Sequence, residues 1–432
     1  MLTNRKSGLL LPVFSLPGPY GVGTFGAGAR RFVDFLAEAG QSWWQILPLN
    51  PIGPGDSPYM SPSVFEGNPF FLDPEILAQK GLLTREELES CRRDDLDRVD
   101  YDWLRATRLP LLEKAAERSG ETDFLQQEFL RQWTALRTYA NQKGVSILGD
   151  LPIYVSPNGR EIAQQPELFQ LDAAGKLSRV AGVPPDAFTD LGQLWGNPLY
   201  DWNGHREDVF AWWSKRIRHA AGLYDGVRID HFRGFHTYWS VPADAADARE
   251  GHWEQGPGQA LVDHLVQSAP GLTLIAEDLG DLDEKALAFL ANSGLPGMKV
   301  LLYAFDPSGD SAYLPHNCER NAIMYTGTHD TPTFVQWLFG EADEASRAFA
   351  LDYLRLREDE GFGWGAVRAA WASPCVLAIA PFQDVLGLGS DARINTPGTM
   401  GSHNWSWRVR AEAINSSVAA QLRHLTQLYR RI

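Results

Sequence analysis

A helical pattern followed at once by a short, almost unbroken apolar run recurs along this chain, and that alternation limits the folds open to it. GARRFVDFLAEAG (28–40) leads into SWWQILPL (42–49), and EFLRQWTALRTYANQKG (128–144) leads into GVSILGDLPIYV (144–155). FAWWSKRIRHAAG (210–222) precedes YDGVRID (224–230), QALVDHLVQSAPG (259–271) precedes LTLIAEDLG (272–280), and EKALAFLANSG (284–294) precedes GMKVLLYAF (297–305). NAIMYTG (321–327) and CVLAIAPFQDVLG (375–387) complete the series. A strand with one wet face alternates apolar and polar residues; these runs do not, so both faces are covered, as in a parallel sheet clothed by helices. Seven runs are clear, and an eighth is placed in SVFEGNPFFLD (63–73). The expected fold is α/β: a single (β/α)8 TIM barrel over 1–432, with insertions on its C-terminal face and no separate C-terminal β-sandwich domain. Two stretches interrupt the rhythm. Residues 74–135 are helical and highly charged, with TREE (84–87) reading as a capping box, and 156–205 are loop-rich in Pro, Gly and Asn. Both follow strand candidates and so would wall a cleft. No internal repeat or low-complexity tract is present.

Charge and composition narrow the partners. Fifty-four acidic side chains outnumber 39 basic ones, for a net charge of -15. A nucleic acid or an anionic membrane needs a basic footprint, so neither is expected as a partner. The three cysteines, Cys91, Cys318 and Cys375, are far apart and odd in number. That disfavours a disulfide framework or cysteine zinc site and points to a reducing cytosol. The opening MLTNRKSGLLLPVFSLPG is too short and proline-broken for a signal peptide, and no run approaches a membrane span. Aromatic residues are plentiful, and several stand in Gly/Pro/Asn-rich loop sequence: Tyr59 in GDSPYMSPS, Trp195 in GQLWGNPLY, Trp405 and Trp407 in NWSWR. Each alone reads as a loop pinned to the body. Together they suit a cleft for sugar rings, which offer C–H bonds on a face and hydroxyls at the rim.

Chemistry gathers at the strand ends. GVRIDHFRGF (226–235) leaves its apolar run with Arg228, Asp230, His231 and Arg233 crowded together. Glu277 and Asp278 end LTLIAED, His329 and Asp330 follow NAIMYTGT, and Asp150 lies in ILGDLP. Parallel barrel strands bring their C-terminal ends to one rim, which turns acids distant in sequence into neighbours. A lone Asp after a strand is usually a helix cap or turn former, and Asp278, Asp281 and Asp283 are read so. Clustered carboxylates admit a metal site or glycosidic bond exchange. Only His231 and His329 are available as imidazole ligands, with no HxH or HExxH spacing, so the sugar reading uses the residues more fully. Retention needs a carboxylate nucleophile and a protonated carboxylic acid about 5–5.5 Å apart. Arg228 shares a strand face with Asp230 and would hold it ionised and oriented. Glu277 has no cation in its immediate sequence and would stay protonated beside the charges of Asp230 and Asp330. Once Asp230 is esterified, Glu277 would release its proton and act as base.

These residues, with SGLLLPVFSLPGPYGVGTFG, WWQILPLNPIGPGDSPYMSPSVFEGNP, VAGVPPDAFTDLGQLWGNPLYDW, TGTHDT and RINTPGTMGSHNWSWR, make the chain resemble the amylomaltases nearly from end to end. These are the 4-alpha-glucanotransferases, or disproportionating enzymes, of glycoside hydrolase family 77. GVRIDHFRGF and GQLWGNPLYDW are the specific pair; TGTHD alone marks only the wider alpha-amylase-like group. The resemblance implies Asp230 as nucleophile, Glu277 as acid/base and Asp330 as the carboxylate that stabilises the oxocarbenium-like transition state. It implies Arg228, His231, His329 and Asp150 around the donor sugar, and Ser57, Tyr59, Gln193, Trp195 and Asn395 as sugar contacts. It further implies a cofactor-free cytoplasmic enzyme, monomeric or weakly self-associating, acting on maltooligosaccharides, amylose or glycogen-derived alpha-glucans.

The chain departs from the family pattern in four places. Ala187-Phe188-Thr189 stands where YFS is usual, Gly159-Arg160-Glu161-Ile162-Ala163 replaces a SADVW-like stretch, and Leu302 stands where Gln is common. The helical insertion between about 113 and 128 is short. A trimmed insertion predicts a more open cleft, and the missing tyrosine at Ala187 a weaker acceptor grip. Disproportionation is still expected to dominate, because GQLWGNPLY and RINTPGT are intact. The alternatives are an alpha-glucan hydrolase on the same residues and a non-catalytic glucan-binding protein.

Overall fold

The computed structural model describes residues 4–94, 97–185, 189–280 and 282–432. Twelve strands occur among them: β1 Lys6–Leu10, β2 Trp43–Gln45, β3 Ser146–Leu151, β4 Arg179–Val183, β5 Gln193–Pro198, β6 Gly226–Ile229, β7 Thr237–Pro242, β8 His252–Gln255, β9 Thr273–Ala276, β10 Gly297–Val300, β11 Ala322–Tyr325 and β12 Leu377–Pro381. Eight form one sheet in the order β10-β11-β12-β1-β2-β3-β6-β9. Neighbours are consecutive among the eight along the chain except β12 and β1, where the last strand meets the first, and the pairs β12–β1, β1–β2, β2–β3, β6–β9 and β11–β12 are parallel. Between the ends of that order, the Ala276 N–H donates to the Pro296 carbonyl at 3.0 Å. This is the (β/α)8 barrel.

All seven apolar runs are barrel strands. The eighth is not in 63–73, where Pro69–Phe71 form only a single 3-10 turn. It is KSGLL, β1, which pairs with β12 on one side and β2 on the other. Its first apolar residues run on into LPVF, so the strand hid inside a stretch weighed only as a leader. The preceding helices fall where the 3.6-residue period puts them: Ala27–Glu38, Phe124–Gln142, Arg206–Leu223, Gln259–Ser268 and Glu284–Ser293.

The chain divides into two compact units. One comprises 1–49, 67–148 and 298–432; the other comprises 50–66 and 149–297. In the first, Phe25, Phe71, Phe129 and Trp133 pack with Phe25 at their centre, its ring 5.1–5.7 Å from the others. Loss of one such buried ring costs about 3–5 kcal/mol in a typical core. The TREE capping box is present: Thr84 Oγ1 accepts from the Glu87 N–H, and Glu87 Oε2 accepts from the Thr84 N–H. Two long helices, Tyr101–Ser119 and Phe124–Gln142, meet through a four-residue turn in which Gly120 takes φ +66°.

In the second unit, the stretch expected to be loop, 156–205, holds β4 and β5, two strands of an added sheet that β7 and β8 complete. Antiparallel strands run in the order β5-β4-β7-β8. The register of β4 on β5 shifts between Val180 and Gly182, and Gly192 and Gly196 take φ +68° and +76°. Glycines and a bulge mask the period of two, which is why these strands read as loop. Among the described residues no helix is long and apolar enough to cross a membrane.

Candidate active site

The residues singled out at the strand ends fall into two sets, one in each unit. In the second unit the set is built around Arg228. The period of two puts Arg228 and Asp230 on one face of β6 and its exit, and Arg228 Nη2 lies 2.8 Å from Asp230 Oδ1. Its Nη1 donates to both oxygens of Asp150, at 3.0 and 2.8 Å, at the end of β3. Nη2 also stands 3.7 Å from Glu277 Oε2, just past β9. One guanidinium therefore faces three carboxylates. Burial works against its charge, but Asp150, Asp230, Tyr59 and Glu277 outweigh burial and hold it protonated. The oxygens of Asp230 and Glu277 that share Nη2 are no further apart than the sum of their two distances to it, about 6.5 Å. Tyr59, preceded by Ser57 whose hydroxyl accepts from the Tyr59 N–H at 3.3 Å, donates its own hydroxyl to Asp150 Oδ2 at 3.1 Å.

The backbone turns sharply after β6. His231 takes φ +48°, a left-handed conformation that costs a non-glycine residue about 1–2 kcal/mol. The turn aims the His231 N–H at Glu277 Oε2, at 2.7 Å, while Oε1 accepts from the Leu279 N–H at 2.7 Å. Burial is the main force on Glu277 and pushes its carboxyl up to about 7; Arg228 pulls it down, and Asp230 pushes it up again. Here the structure corrects the expectation from sequence. Glu277 does face a cation, and desolvation rather than neighbouring negative charge is the chief reason it holds a proton. The side chain of Asp230 is 28% exposed and that of Glu277 10%, so the two acids that face one cation sit in unlike surroundings. Burial drives the His231 imidazole down to about 4, which leaves it neutral at pH 7. Its ring meets Trp195 edge-on at 4.8 Å, and Trp195 Nε1 donates to Gln193 Oε1 at 3.0 Å within β5.

Charge bookkeeping at Arg228 yields a stability prediction. Asp150 is fully buried and accepts hydrogen bonds from Arg228 and Tyr59. The R228L variant removes the Arg228 charge from beside that buried carboxylate and is expected to lose about 3–5 kcal/mol, read from the urea-unfolding midpoint at constant slope.

In the first unit the set follows β11. His329 is 2% exposed, and its Nε2 lies 3.1 Å from Asp330 Oδ2. Asn395 Nδ2 donates to Asp330 Oδ1 at 2.7 Å, and the Asn395 N–H donates to the His329 carbonyl at 3.1 Å. The Trp405 ring is 6.0 Å from that of His329. Sequence reasoning passed over Arg393. Its guanidinium donates to the Asp330 carbonyl at 3.1 Å and to the Asn395 carbonyl at 2.8 Å, and it pairs with Glu341 at 3.1 Å. The signal was present in RIN, a cation two residues before an expected sugar contact.

Asp283 caps the helix that it precedes, accepting from the Ala286 N–H at 2.8 Å, as expected of a turn former. Asp281 and the Ala187-Phe188 departure lie outside the described residues. Leu302 is buried in the turn after β10. Among the described residues no three His, Cys, Asp or Glu side chains gather so as to hold a metal ion.

A family model described as 4-alpha-glucanotransferase, of glycoside hydrolase family 77, matches residues 11–123 and 119–413. The 4-alpha-glucanotransferase of Streptococcus pneumoniae is 38% identical over 497 aligned positions, covering 100% of this chain and 98% of its own length. That of Clostridium butyricum is 37% identical over 484 positions, covering 97% and 99%. Among solved structures, the amylomaltase from Streptococcus agalactiae in complex with acarbose superposes with a TM-score of 0.92 at 36% identity, covering 99% of each chain. The chain belongs to glycoside hydrolase family 77, the 4-alpha-glucanotransferases.

Proposed function

We propose that the enzyme moves an alpha-1,4-glucan segment from a donor maltooligosaccharide to the 4-hydroxyl of an acceptor glucan or glucose, by double displacement with retention. Asp230 attacks the anomeric carbon, and Glu277 gives its proton to the departing glycosidic oxygen. The bond to the leaving glucan breaks as the glycosyl ester on Asp230 forms. Esterification removes the Asp230 charge, which adds to burial in raising Glu277, and Arg228 still pulls it toward ionisation. Glu277 then takes the proton of the acceptor 4-hydroxyl, whose oxygen attacks the ester and frees Asp230. The observation that carries this reading is Arg228 gripping Asp230 at 2.8 Å while standing off the buried, proton-holding Glu277 at 3.7 Å.

Asp330, held by Asn395, is assigned the oxocarbenium-like transition state, and His231, His329, Asp150 and Arg228 the donor sugar. Tyr59, Ser57, Gln193 and Trp195 are assigned sugar contacts; the acarbose complex of the Streptococcus agalactiae amylomaltase supports an alpha-glucan ligand. The family match falls into two segments that overlap at 119–123, by the turn between the two long helices, which supports a shortened insertion there. Three free, buried cysteines agree with work in a reducing cytoplasm.

Water is present at about 55 M, so transfer requires that a positioned sugar outcompete it. Purified protein given maltotriose is expected to release glucose and build a ladder of longer maltooligosaccharides, seen by chromatography. Products no longer than the substrate would establish the hydrolase alternative instead.

A further inference from the structure

The loop that carries His329 and Asp330 leaves β11 at Thr326 and enters a helix at Phe334. Both ends are tied to one side chain. Asp384, in the turn Phe382–Val385 that follows β12, accepts the Thr326 hydroxyl on Oδ2 at 2.5 Å and the Phe334 N–H on Oδ1 at 2.7 Å. The residue is 0% exposed, and among the described residues no cation pairs with it. Burial pushes its carboxyl up to about 6, against the pull of the two hydrogen bonds. Such a group is costly in a core, and an apolar side chain of similar size would remove the cost. A plain helix cap would account for the Phe334 contact alone. It would not account for the second oxygen, which reaches the far end of the loop at Thr326.

The loop between these anchors is short and already rigid. Thr331 Oγ1 accepts from the Thr328 N–H at 2.9 Å, and Thr328 Oγ1 accepts from the Asp330 N–H at 3.2 Å. Its middle is held from outside by Asn395, through the His329 carbonyl and the Asp330 carboxylate, and by Arg393, through the Asp330 carbonyl. Asp384 adds the restraint on its two ends, at Thr326 and Phe334. The Thr326 N–H also donates to the Ile379 carbonyl on β12 at 3.3 Å, so brace and loop are referred to the same strand. Gly363, on the helix Phe362–Ala372, leaves room for this turn; a Cβ there would fall 2.1 Å from the Asp384 carbonyl oxygen.

We propose that Asp384 is a positioning residue that sets the place of the Asp330 carboxylate by clamping both ends of the 326–334 loop. The inference rests on the reading of Asp330 as a transition-state group. A displacement near 1 Å at such a group costs on the order of 100-fold in rate.

The test compares T326V, T326S, D384L, D384N and D330N in maltotriose disproportionation, with thermal melts to verify folding at the assay temperature. T326V removes one hydroxyl and keeps the shape; it is expected to lower kcat about 10-fold with KM within about 3-fold, and T326S to restore kcat. D384L is expected to lower kcat about 100-fold. D384N keeps an oxygen for the Phe334 N–H and an amide that can donate to a reversed Thr326 hydroxyl, so it is expected to fall between D384L and wild type. A purely structural role would lower melting temperature and leave kcat of the folded protein intact. Wild-type kcat in T326V, folded, would overturn the proposal even if D384L fails to fold. Wild-type turnover in D330N would instead overturn the role given to Asp330, independently of the clamp.

Discussion

D230N is expected to abolish disproportionation, with kcat on maltotriose falling at least about 10,000-fold and KM changing little. Asparagine matches the shape of Asp230 and can still accept from Arg228 Nη2, now 2.8 Å from Oδ1, so the fold has no reason to change. What disappears is the carboxylate that forms the ester. The melting curve should stay close to wild type, because Asp230 is part exposed and Arg228 keeps Asp150 as its buried partner. Turnover within about 10-fold of wild type would sink the double-displacement reading.

E277Q is the second large effect, and it separates the two half-reactions. Glutamine cannot protonate a glycosidic oxygen, so turnover of maltotriose is expected to fall about 100- to 10,000-fold. A maltosyl fluoride donor needs no proton on its leaving group. With it, E277Q should still form the glycosyl ester and accumulate it, visible as an added mass on the intact protein. The same proton predicts the pH profile of the native enzyme. The Glu277 carboxyl titrates at about 7 in the free enzyme, so kcat/KM on maltotriose should decline as pH rises through that value and the acid is lost. The sign follows from the acid role; a base in the first step would produce the opposite slope. The fluoride donor should flatten this limb. A limb unchanged by the fluoride donor would show that some other group sets it.

The fold was legible wherever the apolar period was undisturbed. The seven runs read as strands are strands, since burial on both faces leaves no competing pattern. The error at the eighth came from context rather than chemistry: KSGLL sits at the chain start and merges with apolar residues beyond it. In the β5-β4-β7-β8 sheet, β4 and β5 escaped because Gly182, Gly192 and Gly196 interrupt the alternation and the β4–β5 register shifts between Val180 and Gly182. At the site, the Arg228–Asp230 contact could be read from spacing within one strand. Contacts assembled from separate strands could not. Nothing in AEDLG says that Glu277 would meet Arg228, and nothing in FQDVLG says that Asp384 would hold the THD loop. The balance of burial against charge at Glu277 is likewise a property of the folded chain.

Both oxygens of Glu277 are held by main-chain amides, those of residues 231 and 279. The carboxyl plane is thus held, and the directions along which its acidic hydrogen can leave and return are narrowed to those the two amides do not occupy. Such fixtures do not depend on which side chains occupy those two positions. Position 279 can vary without disturbing the line of transfer unless it becomes proline, which would erase the amide itself, while position 231 must also keep a left-handed backbone for its amide to point at Glu277.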